Sequence, residues 1–175
     1  MSVLLIAEVN SLDATAKALS AAKKMGPVTV LVAGAGVDAA PFAALDGVAK
    51  VLTADDAAYA HGLAEPLADL VVSLAGGFTH IVAPATAESK NVLPRVAALL
   101  DVMVISDVIG VVDADTFERP IYAGNAIQTV KSSDKIKVAT IRATAFEAAG
   151  AGGSAPVEAA AAAGDKGLST WVEDK

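Results

Sequence analysis

The stretch VLLIAEV, residues 3–9, decides the fold class. Its apolar run is typical of a parallel strand buried on both faces. Further strands are predicted from the stretches VTVLVAG (28–34), VAKVLTA (48–54), FTHIVAP (78–84) and VMVISDVIGVV (102–112). Helical patterns lie between most of these strands. This order predicts an α/β domain with a mostly parallel, Rossmann-like sheet and helices on both faces.

Three helices can be placed from the spacing of apolar residues and from their capping signals. The first begins at Asn10 or Ser11, because either side chain can cap a helix. The second has an apolar face formed by Leu63, Leu67, Leu70, Val71 and Leu74. The third contains Pro94, and an interior proline costs about 3 kcal/mol. We therefore expect its N-cap near Asn91, with ATAESK (85–90) as a loop after the fourth strand.

From Thr116 onward the periodicity changes to that of strands. The segments TFERPIYA (116–123), AIQTVK (126–131) and IKVATIRA (136–143) are separated by residues that favour hairpin turns. We expect them to form an antiparallel β-ribbon added to the parallel sheet.

The composition changes again after Ala148. Residues 149–167 are rich in Ala, Gly and Ser, as in a flexible linker. We therefore predict an α/β domain at residues 1–148, a flexible linker at 149–167, and a final segment at 168–175. The single tryptophan, Trp171, either anchors that segment on a surface or belongs to a disordered end.

The charge and composition narrow the function classes. A net charge of −7 without a basic cluster argues against binding to nucleic acid or to an anionic membrane surface. Cysteine is absent, which excludes thiol nucleophiles and zinc–thiolate sites. No apolar run is long enough to cross a bilayer, and the first residues lack the features of a signal peptide. We expect a cytoplasmic protein.

Two glycine- or hydroxyl-containing loops are candidates for binding phosphate. Residues 34–39, GAGVDA, match a dinucleotide fingerprint with Asp55 downstream, but Pro41 limits the helix that the fingerprint requires. We interpret this match as coincidental. The loop after the fourth strand offers Thr86, Ser89, Lys90 and Asn91 to an anion. We favour the structural interpretation, in which Asn91 caps a helix, Ser89 makes a turn and Lys90 is solvated.

No catalytic group or metal site can be assigned. His61 falls in a loop and His80 in a strand, and neither has partners at a useful spacing. Asp107 and Arg119 flank apolar strands, a position more typical of structural ion pairs. We expect the chain not to be an enzyme by itself.

Three segments resemble the electron transfer flavoprotein alpha subunit family: KNVLPRVA (90–97), ISD (105–107) and RPIYAGNA (119–126). The opening strand, the KVATIRATAF segment and the following linker agree with it. The resemblance covers roughly residues 1–150. It implies an N-terminal α/β domain, followed in the family by a second domain that carries FAD with help from a beta subunit.

The same resemblance implies a role in electron transfer. The family's heterodimer accepts electrons from flavin dehydrogenases, such as the acyl-CoA dehydrogenases of fatty acid beta-oxidation, and passes them to a quinone oxidoreductase. The family's Ser-Gly-x-x-Gln-His signature for FAD is not in this sequence, so no FAD ligand is assigned. We expect the chain to be the first domain alone, a scaffold without its own redox chemistry.

The beta subunit is the expected partner. Candidate interface residues are Arg95, Arg119, Tyr122 and Asn125, which could instead close turns within the domain. The alternative function is a module that binds a nucleotide, AMP or ATP, at the loop after the fourth strand.

Overall fold

The computed structural model describes residues 1–173, and ten strands and four α-helices form within them. The strands are β1 (Val3–Ile6), β2 (Val28–Gly34), β3 (Val48–Asp55), β4 (His80–Pro84), β5 (Val104–Val108), β6 (Gly110–Val111), β7 (Thr116–Ile121), β8 (Ala126–Lys131), β9 (Lys137–Ile141) and β10 (Val157–Ala159). The helices are α1 (Leu12–Ala22), α2 (Ala40–Ala43), α3 (Ala64–Leu74) and α4 (Ala87–Leu99).

Seven strands form a parallel sheet in the order β10-β3-β2-β1-β4-β9-β5, and β6, β7 and β8 form a small antiparallel sheet. The predicted α/β class, with a mostly parallel sheet and an added antiparallel ribbon, is confirmed.

A hydrophobic core lies on each face of the parallel sheet. Leu5 of β1 shares one core with Leu19 of α1, while the adjacent Leu4 shares the other with Leu70 of α3. All four side chains are fully buried. Successive residues of a strand point to opposite faces, so the apolar run of β1 supplies both cores. Helices α1 and α2 cover one face, and α3 and α4 cover the other.

The N-termini of α1 and α4 can be compared with the helix starts predicted from the sequence. Of the two candidate caps for α1, Ser11 is used, because its Oγ accepts a hydrogen bond from the Ala14 N–H at 3.2 Å. The predicted start of α4 near Asn91 is wrong, since Thr86 caps it and Pro94 lies inside it.

Burial explains why α4 tolerates its proline. Val92 and Leu93 are buried in the core beside the sheet, with 1% and 0% of their surface exposed. Burying one such side chain stabilises the folded state by about 1.5–3 kcal/mol. Together they offset a penalty of about 3 kcal/mol for the interior proline. Pro94 is exposed, and so is Lys90, the residue whose carbonyl would accept the missing N–H.

The predicted fifth strand is two strands in different sheets. The pairing of β5 with β9 shifts register between Ile105 and Val108, where Asp107 has a φ of 65°. After this bulge the chain leaves the parallel sheet and enters β6. We call β6, β7 and β8 the ribbon. Phe117 of β7 is fully buried in the core beneath α1, and it anchors the ribbon to the sheet.

The prediction that residues 136–143 form the third strand of the ribbon is wrong, because this segment forms β9 of the parallel sheet. It lies between β4 and β5 and is parallel to both. Four of its five residues are buried, as expected of a strand covered on both faces. The ribbon is therefore inserted into the crossover between the parallel neighbours β5 and β9, a connection that usually contains a helix.

The segment expected to be a flexible linker pairs in part with the domain. Strand β10 extends the parallel sheet beside β3: the Val51 N–H donates to the Pro156 carbonyl at 2.9 Å, and the Ala160 N–H donates to the Thr53 carbonyl at 2.8 Å. Residues 149–167 are thus not free chain throughout, although the domain boundary at residue 148 stays a prediction. The final predicted segment, 168–175, extends two residues past the described part.

Candidate functional site

Two cavities open at the carboxyl end of the parallel sheet, the edge at which α/β folds commonly bind ligands. The larger has a volume of about 700 Å³ and lies beside the ends of β1 and β2. The smaller, about 380 Å³, lies beside the ends of β4, β5 and β9.

The glycine-containing segment after β2 lines the larger cavity. The Gly36 N–H donates to Asp55 Oδ1 at 2.7 Å, so the downstream aspartate holds this loop. The helix that follows, α2, has only four residues, and its N-cap, Ala39, provides no side-chain hydrogen bond. A dinucleotide fingerprint needs a longer helix aimed at the pyrophosphate. The structure therefore agrees with the interpretation that residues 34–39 match the dinucleotide fingerprint by coincidence.

Carboxylates give the larger cavity its charge. Its lining includes Asp38 and Glu88 but no lysine or arginine. Burial raises the pKa of the Glu88 carboxyl above its usual range, and the negative charge of Glu8 raises it further. The Glu88 side chain also lies directly against Gly62, where any Cβ would collide with the carboxylate. This acidic lining does not fit the pyrophosphate of FAD or the phosphate of a nucleotide.

The four residues predicted to hold an anion after β4 have separate roles. Thr86 Oγ1 accepts the Ser89 N–H at 3.2 Å as the cap of α4, and Ser89 is buried. Asn91 is exposed on the helix. Only Lys90 lines a cavity, the smaller one. The cap role that the sequence assigned to Asn91 belongs to Thr86, so that assignment is wrong. Lys90 is the one of the four residues that lines a cavity.

An ion pair forms the wall of the smaller cavity. The Arg142 guanidinium donates two hydrogen bonds to the Asp107 carboxylate, one from Nε to Oδ1 at 3.1 Å and a second to Oδ2. These bonds lower the pKa of Asp107 below its ordinary value, and the charges of Lys90 and Arg119 act in the same direction. The sequence interpretation of Asp107 as a structural ion-pair residue is correct. Arg142 was missed, although it directly follows the buried strand β9.

Three of the four predicted interface residues lie on the ribbon. Arg119 is on β7, where its NH2 group donates to Ser106 Oγ at 2.9 Å. Tyr122 and Asn125 are exposed at the turn between β7 and β8. Arg95 lies instead on α4. The pKa of Glu65 on α3 is lowered mainly by a hydrogen bond from Ser169, and the charge of Arg95 acts in the same direction. The structure thus brings three of the residues together and separates the fourth.

The turn of the ribbon combines exposure with an unusual backbone. Tyr122 and Ala123 have φ values of 49° and 54°, in the left-handed region that side chains disfavour, and Gly124 follows at 90°. The Tyr122 side chain is 79% exposed and the nearby Ile127 is 55% exposed. Such conformations persist where surrounding structure or function requires them.

The two histidines are in different environments. His80 is 1% exposed in β4; its Nε2 donates to the Ala114 carbonyl at 2.6 Å, and its Nδ1 accepts from the Thr79 hydroxyl at 2.9 Å. Burial lowers its pKa, so it is neutral at pH 7. His61 is stacked on Trp171, with ring centroids 4.0 Å apart. The anchoring role predicted as one option for Trp171 is confirmed.

The described residues limit the kinds of site that this part of the chain can form. Residues 1–173 contain no group of three His, Asp or Glu side chains placed to hold a metal. No helix in the same range is long and apolar enough to cross a membrane.

Comparison with known proteins connects this architecture to a family. The sequence model of the electron transfer flavoprotein domain matches residues 3–165. The chain belongs to the electron transfer flavoprotein family. It is 62% identical to the electron transfer flavoprotein subunit alpha of Paracoccus denitrificans over an alignment of 181 positions, which covers 100% of this chain and 59% of that protein.

Other members of the family are also covered over only part of their length. The subunit alpha of Pseudomonas aeruginosa is 51% identical over 182 positions, with 100% of this chain and 59% of that protein covered. The mitochondrial subunit alpha of Dictyostelium discoideum is 45% identical over 172 positions, covering 90% of this chain and 48% of that protein. The chain thus spans about half to three-fifths of the length of these electron transfer flavoprotein subunits. The predicted resemblance to the alpha subunit is confirmed.

Proposed function

We propose that this chain serves as the supporting α/β domain of an electron transfer flavoprotein alpha subunit. Residues 1–148 form the domain, 149–167 form the connecting segment, and 168–175 begin the approach to a region that carries FAD. The observation that carries the proposal is the 62% identity to the Paracoccus denitrificans alpha subunit along the whole of this chain.

In this proposal the assembled protein is an electron carrier. A heterodimer with the beta subunit takes electrons from flavin dehydrogenases, such as acyl-CoA dehydrogenases, and delivers them to a quinone oxidoreductase. The chain is a cytoplasmic scaffold and is not an enzyme by itself. FAD supplies the redox chemistry and is held outside residues 1–173. The acidic lining of the larger cavity supports this placement, because it would repel the cofactor's pyrophosphate.

The ribbon is the proposed surface for the beta subunit. Its turn exposes Tyr122 and Asn125, and the left-handed backbone there presents the tyrosine ring away from the domain's own cores. Exposed aromatic and arginine side chains are enriched among the residues that dominate protein interfaces. Arg119 lies at the side of the same ribbon, whereas Arg95 would belong to a separate contact on α4.

The test combines flavin retention with complex formation. The purified chain is incubated with FAD, desalted and scanned for flavin absorbance, and we expect a colourless protein. It is then titrated with the Paracoccus denitrificans beta subunit by calorimetry, and we expect binding that Tyr122→Ser weakens by roughly tenfold. Val112→Ser is the matched control, because Val112 is 59% exposed in the turn at the opposite end of the ribbon.

Two results would contradict the proposal. A yellow chain with one flavin per polypeptide would place the cofactor on this domain. Equal affinities of the Tyr122 and Val112 variants for the beta subunit would show that the ribbon turn is not part of the interface.

The nucleotide-binding alternative has less support, since carboxylates line the larger cavity and hydroxyls of the loop after β4 are used in capping α4.

A further inference from the structure

More positive charge surrounds Asp107 than its carboxylate can balance. Arg142 binds both carboxylate oxygens. Lys90 and Arg119 are also near enough for their charges to act on Asp107. Three cations and one carboxylate leave two positive charges at this place. The whole chain carries a net charge of −7, so the excess is local and opposite in sign to the molecule.

Lys90 and Arg119 have no carboxylate of their own among the described residues. Neither takes part in an ion pair there, whereas five other lysines do: Lys17, Lys23, Lys50, Lys137 and Lys166. The Arg119 guanidinium donates to Ser106, and its Nε is buried without a hydrogen-bond partner in residues 1–173. Buried donors normally have partners, so this Nε is an exception among the described residues, although Arg119 does not line the cavity described next.

A cavity gives a ligand access to the cluster. The smaller cavity, about 380 Å³, is lined by Lys90, Asp107, Arg142 and Thr144, together with Ala85 and Ala143. The ammonium group of Lys90 and the hydroxyl of Thr144 can both donate hydrogen bonds to a ligand there. The cavity lies at the carboxyl end of β4, β5 and β9, the edge of a parallel sheet where ligands bind.

We propose that this cavity binds a phosphate group, either as inorganic phosphate or as a small phosphate monoester. A phosphate carries about −1.5 to −2 charges at pH 7, opposite in sign to Lys90 and Arg142, which line the cavity. Arg119 lies outside the lining and adds its positive charge from there. Arginine and lysine are the side chains that proteins use most to bind phosphate. The site is separate from the acidic larger cavity and requires no pocket for a nucleotide base.

The test uses the 175-residue chain, whose sheet is covered on both faces by its own helices. Inorganic phosphate is titrated while amide NMR signals of Ala85, Lys90, Ala143 and Thr144 are followed. We expect saturable shifts at these positions. Lys90→Gln should weaken binding by about fivefold to tenfold, because it removes a charged donor. The Lys135→Gln variant, which changes another exposed lysine that does not line the cavity, should bind phosphate as the unmodified chain does.

Further ligands identify the source of the phosphate and test its specificity. Tighter binding of glycerol 3-phosphate than of inorganic phosphate would indicate a monoester, and equal binding would indicate the free ion; both outcomes support the site. AMP should bind no more tightly than glycerol 3-phosphate. The proposal is overturned by any of three results: no saturable shift up to about 10 mM phosphate, equal loss of affinity in both lysine variants, or the same shifts with succinate or chloride at matched ionic strength.

Discussion

Asp107 combines two unusual properties in one residue. Its backbone has a φ of 65° at the point where the chain turns out of the parallel sheet, and its carboxylate is bound by Arg142. The Asp107 N–H also donates to Thr140 Oγ1 at 2.8 Å, which ties the bulge to β9. Aspartate and asparagine tolerate the left-handed region better than most residues. The residue can therefore be changed to asparagine with its backbone preserved.

We expect Asp107→Asn to lower the free energy of unfolding by about 0.5–1 kcal/mol at pH 7, because it removes a charged acceptor from the solvent-exposed Arg142. The pKa of Asp107 is lowered in the folded state, so this stabilisation is present above the unfolded pKa and is lost as pH falls through the folded pKa. The difference between variant and unmodified chain should thus shrink in acid. Urea denaturation at several pH values measures it.

Asp101→Asn provides the matched control for that measurement. Asp101 is also in the left-handed region, with a φ of 55°, but it takes part in no ion pair among the described residues. We expect a change of less than about 0.5 kcal/mol, as for surface substitutions in general. An equally large loss in both variants would show that backbone conformation, and not the Arg142 contact, determines the effect.

The elements of the fold were predicted where local patterns and tertiary burial agree. Strand β1 and helix α3 were found because their apolar residues recur with the period of a buried strand and of an amphipathic helix. The start of α4 was missed because the local penalty of Pro94 is offset by burial of Val92 and Leu93, which depends on tertiary contacts. Likewise, the turn residues before β9 indicate a change of direction but cannot show which sheet the strand joins.

The candidate sites were predicted less well than the elements. Lys90 and Asp107 were recognised as charged residues after buried strands, yet they are 17 positions apart in sequence, and Arg142 is farther still. Only the parallel arrangement of β4, β9 and β5 brings them to one cavity. Pairing partners between distant strands cannot be read from one sequence, so the cluster could not be assembled from it.

The path of the segment after residue 148 depends on a close approach of two backbones. At Gly153 a Cβ would collide with the carbonyl oxygen of Leu45. The neighbouring Gly152 and Gly153 N–H groups both donate to the Ala44 carbonyl at 3.0 Å. Any side chain at position 153 must therefore push the segment away from the domain and weaken these bonds.

We expect Gly153→Ala to release the segment and to speed amide hydrogen exchange at Ala160, whose N–H is bonded to β3. Gly150→Ala is the matched control, since a Cβ there meets no atom within 4 Å. Hydrogen exchange followed by mass spectrometry compares the two variants. Unchanged protection of the segment in the Gly153 variant would contradict the importance of this close approach.

For the molecule as a whole, His80 links the two sheets and makes stability depend on pH. It lies in the parallel sheet and donates to the Ala114 carbonyl in the turn between β6 and β7 of the ribbon. Its pKa is lowered in the folded state by burial, so below the unfolded value of about 6.5 the unfolded chain binds a proton that the folded chain does not. Stability from this group is complete above that pH and decreases as pH falls below it.

We expect the free energy of unfolding to decrease from pH 7.5 to pH 5.5 with a contribution from His80 of up to about 1.4 kcal/mol per pH unit. His80→Gln should remove that contribution, and the two curves should converge toward acid. His61→Gln, which leaves His80 in place, should retain the full slope. Parallel curves for the unmodified chain and the His80 variant would show that other groups produce the dependence.

The three-residue strand β10 has a consequence for how the molecules behave in concentrated solution. It occupies the outer side of β3, whose N–H and C=O groups would otherwise be open to any neighbouring polypeptide. Unprotected strands of this kind template intermolecular pairing, and short outer strands are one means by which proteins avoid it. The charged pair of Lys50 with Glu158, 3.0 Å apart, adds a further obstacle to such pairing. A chain shortened before β10 should therefore self-associate and precipitate more readily, even if its two cores are intact.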